Sequence, residues 1–299
     1  MKNNKILITG GAGFIGSHLA DNLAAKKYDI CVFDNLHRGS LENLKNIEGK
    51  IKFVKGDIRD YDDINNAMKN SDIVFHLAAQ PNVIGSINEP DYTFTTNVLG
   101  TLNVLKAAFE HKIKKFIFTS SREVYGDPKY TPVDEKHPLN PKNLYGKTKV
   151  GSEILCSYFR QYFNLDAIII RIANVYGPRD RERVIPAFID NLKRNRDLTV
   201  YGGQQILDFI WVGDVIGFLV RAMENKFDTG KIFNLGTGIG TTIMNLASLM
   251  ISLSSSKSKI IKEEKRAFDV ESFVADVKNL DIKTKKLEEG LKILLSINK

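Results

Sequence analysis

The sequence predicts an α/β fold, a doubly wound parallel sheet with a smaller, interleaved C-terminal substrate lobe. Three observations carry this expectation. Residues 5–9, 29–34, 51–57, 72–79, 115–121 and 167–173 are short, mostly unbroken apolar runs, as expected of strands covered on both faces. Helical periodicities separate them, and parallel neighbours require such crossover helices. After about residue 172 the alternation stops, and turn-rich stretches such as Tyr176-Gly177-Pro178 and Tyr201-Gly202-Gly203 take over.

Taken in order, the first strand runs into a glycine-rich turn and then a helix with Ile15, Leu19 and Leu23 at intervals of four. A helical stretch around 91–111 aligns Val98, Leu102, Leu105 and Phe109. Another over 145–163 gathers Ile154, Leu155, Tyr158, Phe159 and Tyr162 on an apolar face. Residues 184–192 read as a separate helix, 214–223 as a further helix, and 231–235 as a strand returning to the sheet. The tail from about 237 reads as short helices and loops. The expected first domain is therefore 1–172, with returns near 208–235, and the lobe is 173–207 with 236–299.

Composition narrows the class. The chain has 299 residues, 43% apolar and 26% charged, which allows a sizeable core. With 22 Gly, 8 Pro and 2 Cys, it is neither collagen-like, nor disulfide-scaffolded, nor disordered. No apolar run approaches the roughly 18 residues of a membrane helix, so no membrane partner is expected. The opening Met1-Lys2-Asn3-Asn4-Lys5 lacks signal-peptide architecture, which points to the cytoplasm. Cys31 and Cys156 lie in apolar surroundings without C-x-x-C spacing, so buried reduced thiols are expected and no metal site is. The net charge of +8 is spread among acids, with no basic run or stacking motif, so nucleic acid is not an expected partner. A mild positive excess equally suits a small phosphate-bearing substrate.

Two patterns carry chemistry. The strand Lys5-Ile6-Leu7-Ile8-Thr9 leads into Gly10-Gly11-Ala12-Gly13-Phe14-Ile15-Gly16 and a helix, the context in which glycines let backbone N–H groups approach a pyrophosphate. Asp34 closes the second strand, where an acid accepts hydrogen bonds from the adenosine ribose and repels a 2′-phosphate, favouring NAD. Asp57, closing the third, is placed to reach the adenine. The second pattern is Tyr145 and Lys149, spaced i, i+4 and therefore on one helix face. A tyrosine is a poor base at neutral pH, but a neighbouring ammonium favours its phenolate, so the pair can exchange a proton with an alcohol. Ser121, ending the fifth strand at the ligand-binding edge, can share that proton. A second Tyr-x-x-x-Lys, Tyr125 and Lys129, contains Pro128 and cannot align on a helix.

These residues resemble the extended short-chain dehydrogenase/reductase family, and within it the NAD-dependent nucleotide-sugar epimerases and dehydratases of the UDP-glucose 4-epimerase type. The resemblance includes Thr9 to Gly16, Asp34-Asn35-Leu36, Gly56-Asp57-Ile58, His76-Leu77-Ala78-Ala79, Asn97-Val98-Leu99-Gly100-Thr101 and Val124-Tyr125-Gly126. It continues through Tyr145-Gly146-Lys147-Thr148-Lys149, Asn174 to Arg179, Asp208 to Val212, Asn234-Leu235-Gly236 and Leu287 to Leu291. It implies a Rossmann sheet and a resident NAD contacted by Gly10, Gly13, Phe14, Ile15, Gly16, Asp34, Asn35, Asp57, Ile58, Leu77, Ala78, Ala79, Asn97, Tyr145 and Lys149. It implies that Tyr145, helped by Ser121, takes the proton of a sugar 4-hydroxyl while hydride leaves C4, and that Lys149 contacts the nicotinamide ribose. Asn174 and Arg266 match positions that hold the nucleotide diphosphate, and the helices around 91–111 and 145–163 match the pair that forms a homodimer.

Two departures from the family bear on the reaction. Leu207 stands in Gln204-Gln205-Ile206-Leu207-Asp208-Phe209 where many relatives carry an arginine, so either Arg266 and another cation (Arg179, Arg181 or Arg183) meet the diphosphate or the ligand's anionic end sits differently. Arg122 stands where 4,6-dehydratases resemble Asp-Glu; Glu123 matches and the acid does not. The leaving hydroxyl then lacks its proton donor, which favours inversion at C4 of a UDP-hexose, with Glu123 in the substrate pocket. The alternatives are a 4,6-dehydratase or UDP-glucuronate decarboxylase-like enzyme using Glu123 and, more distantly, a non-catalytic NAD-binding scaffold.

Overall fold

The computed structural model describes residues 4–81, 83–224 and 230–297. It divides into two compact units. The first is Met1–Gly126, Leu139–Arg171 and Ile216–Phe233; the second is Asp127–Pro138, Ile172–Val215 and Asn234–Lys299. The segments 127–138 and 208–215, expected with the first domain, thus belong to the second unit.

In the first unit, strands β1 (Lys5–Thr9), β2 (Asp29–Asp34), β3 (Lys52–Lys55), β4 (Ile73–His76), β5 (Lys115–Ser121) and β6 (Ala167–Ile172) alternate with helices. These are α1 (Phe14–Ala25), α2 (Tyr61–Met68), α3 (Val83–Asn88), α4 (Pro90–Phe94), α5 (Thr101–Glu110) and α6 (Leu144–Phe163). With β10 (Ile232–Leu235) the strands form a seven-stranded sheet in the order β10-β6-β5-β4-β1-β2-β3. The pairs β1–β2, β1–β4, β2–β3 and β4–β5 are parallel. The order reverses beside β1, the switch point where such sheets bind ligands at their carboxyl ends. Apolar runs form these strands because both faces are covered: Ile6, Leu7 and Ile8 of β1 are fully buried, as are Phe116 and Ile117 of β5. Leu7, Val74, Phe116, Leu105, Cys156 and Phe159 share one core cluster that joins the sheet to α5 and α6.

Four expectations need correction here. The strand expected over 51–57 is Lys52–Lys55: Gly56 N still donates to the Asp34 carbonyl at 3.2 Å, but Asp57 N turns to the Asp63 carboxylate at 3.0 Å. The strand expected over 72–79 ends at His76; Leu77 N still donates to the Thr9 carbonyl at 3.1 Å, and Ala78 N turns to the Thr9 side chain, donating to Oγ1 at 3.3 Å. The helix expected around 91–111 is α4 and α5 joined by a π-helical turn, Thr95–Gly100, which carries Asn97. Cys156 is buried as expected, whereas Cys31 is only half-buried.

The second unit contains β7 (Asn174–Tyr176), α7 (Val184–Lys193), β8 (Leu198–Tyr201), β9 (Ile206–Trp211), β11 (Gly240–Thr242), α9 (Ile243–Ser254), β12 (Ile260–Glu263), β13 (Ser272–Phe273) and α10 (Leu287–Ile297). Helix α8 (Val212–Met223) begins there and continues into the first unit. Strands β11, β9 and β13 form a small sheet with β7 also paired to β9, and β12 pairs with β8. Among the described residues, the tail expected to be short helices and loops therefore holds three strands and two helices of 12 and 11 residues. Its core includes Tyr176, Phe188, Leu198, Phe209, Leu246 and Leu291. Asp208, fully buried, organises it by accepting from Thr237 N and Oγ1, Gly238 N and Ala275 N at 2.6 to 3.3 Å.

Candidate active site

The glycine turn is built for close approach. Gly10 has φ +70°, and a Cβ there would lie 2.7 Å from Ala78 N; one on Gly16 would collide with the Gly10 carbonyl. Gly13 caps α1 with no side-chain hydrogen bond, and the first turn of α1 holds no acid. The amide dipoles of the helix start therefore favour an anion, which is what a dinucleotide pyrophosphate supplies. Phe14 and Ile15, half-buried, open the helix. Asp34 sits below this turn. Its Oδ2 accepts from Ala12 N at 3.0 Å and its Oδ1 from Leu36 N at 2.8 Å. Burial pushes this carboxyl up, and the two backbone donors draw it back. Asp34 therefore braces the cradle through Ala12 and Leu36.

Asp57, expected to reach the adenine, is held by four donors of its own chain. Its Oδ1 accepts from Arg59 N and Nε at 2.9 and 3.0 Å, and its Oδ2 from Arg59 Nη2 at 2.7 Å and Asn35 Nδ2 at 2.9 Å. Burial alone would raise this carboxyl, but those donors hold it at about 2. The four acceptor positions of a carboxylate are thereby filled. Asn35 also donates to Tyr92 Oη at 3.1 Å, and the Tyr92 ring lies against both His37 and the Arg59 guanidinium. Ile58 is buried and packs against Gly100.

Beyond β4, half-buried Leu77, Ala78 and Ala79 lead to Gln80, whose backbone N–H donates to Asn97 Oδ1 at 2.8 Å. Asn97 Nδ2 donates to the Gln80 carbonyl and to Thr148 Oγ1 on α6, tying the π-helical turn to the helix of the tyrosine. His76 is enclosed by Thr9 Oγ1 on Nδ1 (2.7 Å) and Thr101 Oγ1 on Nε2 (2.9 Å). Thr101 gives its own proton to the Asn97 carbonyl, so Nε2 is the protonated nitrogen of a neutral ring. Complete burial drives His76 down to about 3, in keeping with that neutrality.

The proton-handling side chains lie on β5 and α6. Ser121 ends β5, and its Oγ accepts from Glu123 N at 3.2 Å, leaving the hydroxyl proton to be donated. Helix α6 starts at Asn143, whose Oδ1 accepts Gly146 N at 2.9 Å. Its first turn packs onto the 121–124 turn so closely that a Cβ on Gly146 would lie 2.5 Å from the Glu123 carbonyl. Tyr145 and Lys149 are both buried, the ammonium 6.0 Å from the tyrosine ring centre. Lys149 Nζ donates to the Thr119 carbonyl at 2.8 Å and lies 4.7 Å from the Phe118 ring centre. Burial pushes Lys149 down to about 8, so it is still largely cationic at neutral pH. Glu123 is buried with both oxygens engaged: Oε1 lies 2.8 Å from Arg122 Nη2, and Oε2 accepts Asn143 Nδ2 at 2.7 Å.

In the second unit, Asn174 donates from Nδ2 to the Asp208 carbonyl at 3.1 Å. Arg266 is forked onto Asp269, both bonds 2.9 Å, with its guanidinium about equidistant from the Tyr201 and Phe268 rings. Arg179 is half-buried with φ +70°. Arg183 donates to the Val175 carbonyl at 3.2 Å. Leu207 packs on the core of this unit, so its position supplies packing where an arginine would supply charge. Among the described residues, no group of three or more His, Cys, Asp or Glu could hold a metal ion.

Sequence reasoning missed Asn143, Glu153, Arg171 and the Thr119 carbonyl. Signals existed for three of them. Asn143 is a capping residue type just before an amphipathic run. Glu153 continues the i, i+4 spacing of Tyr145 and Lys149. Arg171 interrupts the apolar strand Ala167–Ile172, where a charge demands a partner.

Comparison with known proteins settles the family. The profile of the NAD dependent epimerase/dehydratase family matches residues 6–236. The chain belongs to this family. It is 40% identical over 299 residues, 96% of each chain, to a protein of Methanocaldococcus jannaschii described as a putative UDP-glucose 4-epimerase. Among solved structures, UDP-glucose 4-epimerase from Thermotoga maritima with UDP-glucose superposes with a TM-score of 0.92 at 34% identity, covering 98% of this chain and 97% of that one. A dTDP-glucose 4,6-dehydratase from Streptomyces venezuelae with NAD bound gives 0.92 at 28% identity, covering 98% and 96%. The cradle around Gly10, Gly13 and Gly16 fits the dinucleotide that the family uses. No described helix is long and apolar enough to cross a membrane.

Proposed function

We propose that the protein is an NAD-dependent nucleotide-sugar epimerase that inverts C4 of a UDP-hexose through a transient 4-keto sugar. One observation carries the choice between epimerisation and dehydration: both oxygens of Glu123 are held, one by Arg122 and one by Asn143. Eliminating water across C5 and C6 needs a carboxylic acid and a free carboxylate base. Here the acid's place is taken by a guanidinium, and the remaining carboxylate is bound to it. Inversion at C4 needs neither.

On this reading Tyr145 accepts the proton of the 4-hydroxyl, Ser121 donates a hydrogen bond to the same oxygen, and the Lys149 ammonium favours the phenolate. The glycine cradle, Asn97, Lys149 and the residues around Asp34 and Ile58 would hold NAD, which when bound would supply the hydride chemistry at C4. Return to the opposite face requires the keto sugar to turn over within the site, and the roles then reverse, Tyr145 giving the proton back. Asn174, Arg179 and Arg266 are the candidates for the diphosphate, with Arg266 exchanging Asp269 for a phosphate through the same fork.

The relatives named above support the substrate class. Exposed Phe109, Tyr158 and Tyr162 on α5 and α6 support a homodimer formed through those helices, and two free cysteines suit the cytoplasm. The test is incubation with UDP-glucose, UDP-galactose and their N-acetyl forms, followed by separation of the sugars. Interconversion of at least one pair is expected; none in any pair overturns the assignment. Glu123→Gln is expected to lower turnover by less than about tenfold, as for the loss of one charged hydrogen-bond partner. Its loss by about a hundredfold or more would instead favour a dehydratase or decarboxylase.

A further inference from the structure

Beside the Tyr145–Lys149 pair lies a buried polar network that the proposed chemistry does not use. Glu153 is one helical turn beyond Lys149 and two beyond Tyr145, so the three share a face of α6. Its Oε1 accepts the Ser120 hydroxyl at 2.5 Å and Arg171 Nε at 3.0 Å; its Oε2 accepts Arg171 Nη2 at 2.6 Å. Arg171 Nη1 donates to Tyr125 Oη at 2.7 Å. All four side chains are buried.

An ion pair taken out of water is a weak device for stability, because desolvation offsets much of its attraction and an apolar pair often folds as well. Geometry is what this one supplies. Ser120 immediately precedes Ser121, Tyr125 follows the turn that carries Glu123, and Arg171 lies on β6. One carboxylate on the tyrosine's helix therefore fixes the strand end and the turn that face the tyrosine.

We propose that Glu153 is a positioning residue for proton transfer at Tyr145: through Ser120 it sets the strand end that presents Ser121, and from one helical turn away it places a carboxylate on the same helix face as the Lys149 amine. The inference rests on the reading of Tyr145 and Lys149 as the proton-handling pair. The groups facing Lys149 can be named. From α6 they are Tyr145, Glu153 and the Cys156 thiol; from β5, the Thr119 carbonyl and the Phe118 ring; from β4, the neutral His76. Burial pushes the Lys149 amine down, and Glu153 and Cys156 oppose that push. Burial also holds the Cys156 thiol far above its usual range, hence neutral, so the anion among these groups is Glu153, itself forked by the Arg171 guanidinium from β6.

The experiment follows Lys149 directly. Carbon-13 labelling of lysine side chains reports its titration by NMR without any substrate, and Lys149→Met identifies the signal. In Glu153→Gln the midpoint is expected to fall by about one pH unit, the Coulomb contribution of a charge one helical turn away. Glu153→Asp is expected to restore it to near the wild-type value. A folded Glu153→Gln protein whose Lys149 titrates as in the wild type overturns the proposal. Should that variant not fold, Ser120→Ala decides: kcat is expected to fall about tenfold with KM little changed, and wild-type kcat overturns it. The NMR arm needs no sugar, so its outcome is separate from success or failure of the epimerase assignment.

Discussion

The chain contains Tyr-x-x-x-Lys twice, and the two copies have opposite fates. In Tyr125-Gly126-Asp127-Pro128-Lys129 the tyrosine is buried with its hydroxyl against Arg171, the lysine is exposed, and no helix joins them. In Tyr145-Gly146-Lys147-Thr148-Lys149 both side chains are buried on one face of a capped helix, with the ammonium near the ring. The spacing is identical and the chemistry is not. What separates them is the backbone: Asn143 starts a helix at one, and Gly126, at φ +63°, and Pro128 prevent a helix at the other.

The comparison is broken or sharpened most strongly by activity. Tyr145→Phe is expected to lower kcat by about a hundredfold to ten-thousandfold, the usual scale for loss of a general acid–base. Lys129→Ala is expected to turn over like the wild type. A steady-state assay of both variants checks this, and equal losses would erase the distinction between the two copies.

A smaller effect separates the two lysines by stability. Folding brings Lys149 down to about 8 from an unfolded value near 10.4, so between those pH values the unfolded chain binds more protons than the folded one. This lysine therefore makes the wild type gain stability as pH rises from about 8 to 10. Lys149→Met is expected to remove that gain, and Lys129→Ala to leave it in place. Thermal or urea unfolding across this range measures the difference.

The smallest effect lies within the catalytic helix. Gly146→Ala forces a Cβ to 2.5 Å from the Glu123 carbonyl and is expected to cost about 1–3 kcal/mol, with lower kcat because the helix start shifts. At Gly151 an added Cβ meets only Val98 methyls at 3.6 and 4.0 Å, and Gly151→Ala is expected to be neutral or to stabilise by about 0.4–1 kcal/mol. Urea midpoints of the two variants give the comparison.

Legibility in the sequence followed physical cause. Strands β1, β2 and β5 were read to the residue because unbroken apolar runs buried on both faces leave no other assignment. The strands β11, β12 and β13 are two to four residues long and largely half-buried or exposed, so no periodicity marks them. At the site, Ser121, Tyr145 and Lys149 were visible because the pair sits at helical spacing after a strand end. The saturation of Asp57 was not, since the fork from Arg59 and the amide of Asn35 depend on how two loops meet. Nor was the burial of Glu153 with Arg171, because that pairing joins residues 18 apart in the chain.

The central claim is that hydrogen at C4 leaves and returns without loss of water. The measurement that tests it most directly uses a UDP-hexose deuterated at C4, with the product analysed by mass spectrometry and NMR. The account predicts a C4-inverted sugar of unchanged mass with deuterium still on C4. A keto sugar lighter by one water would contradict it.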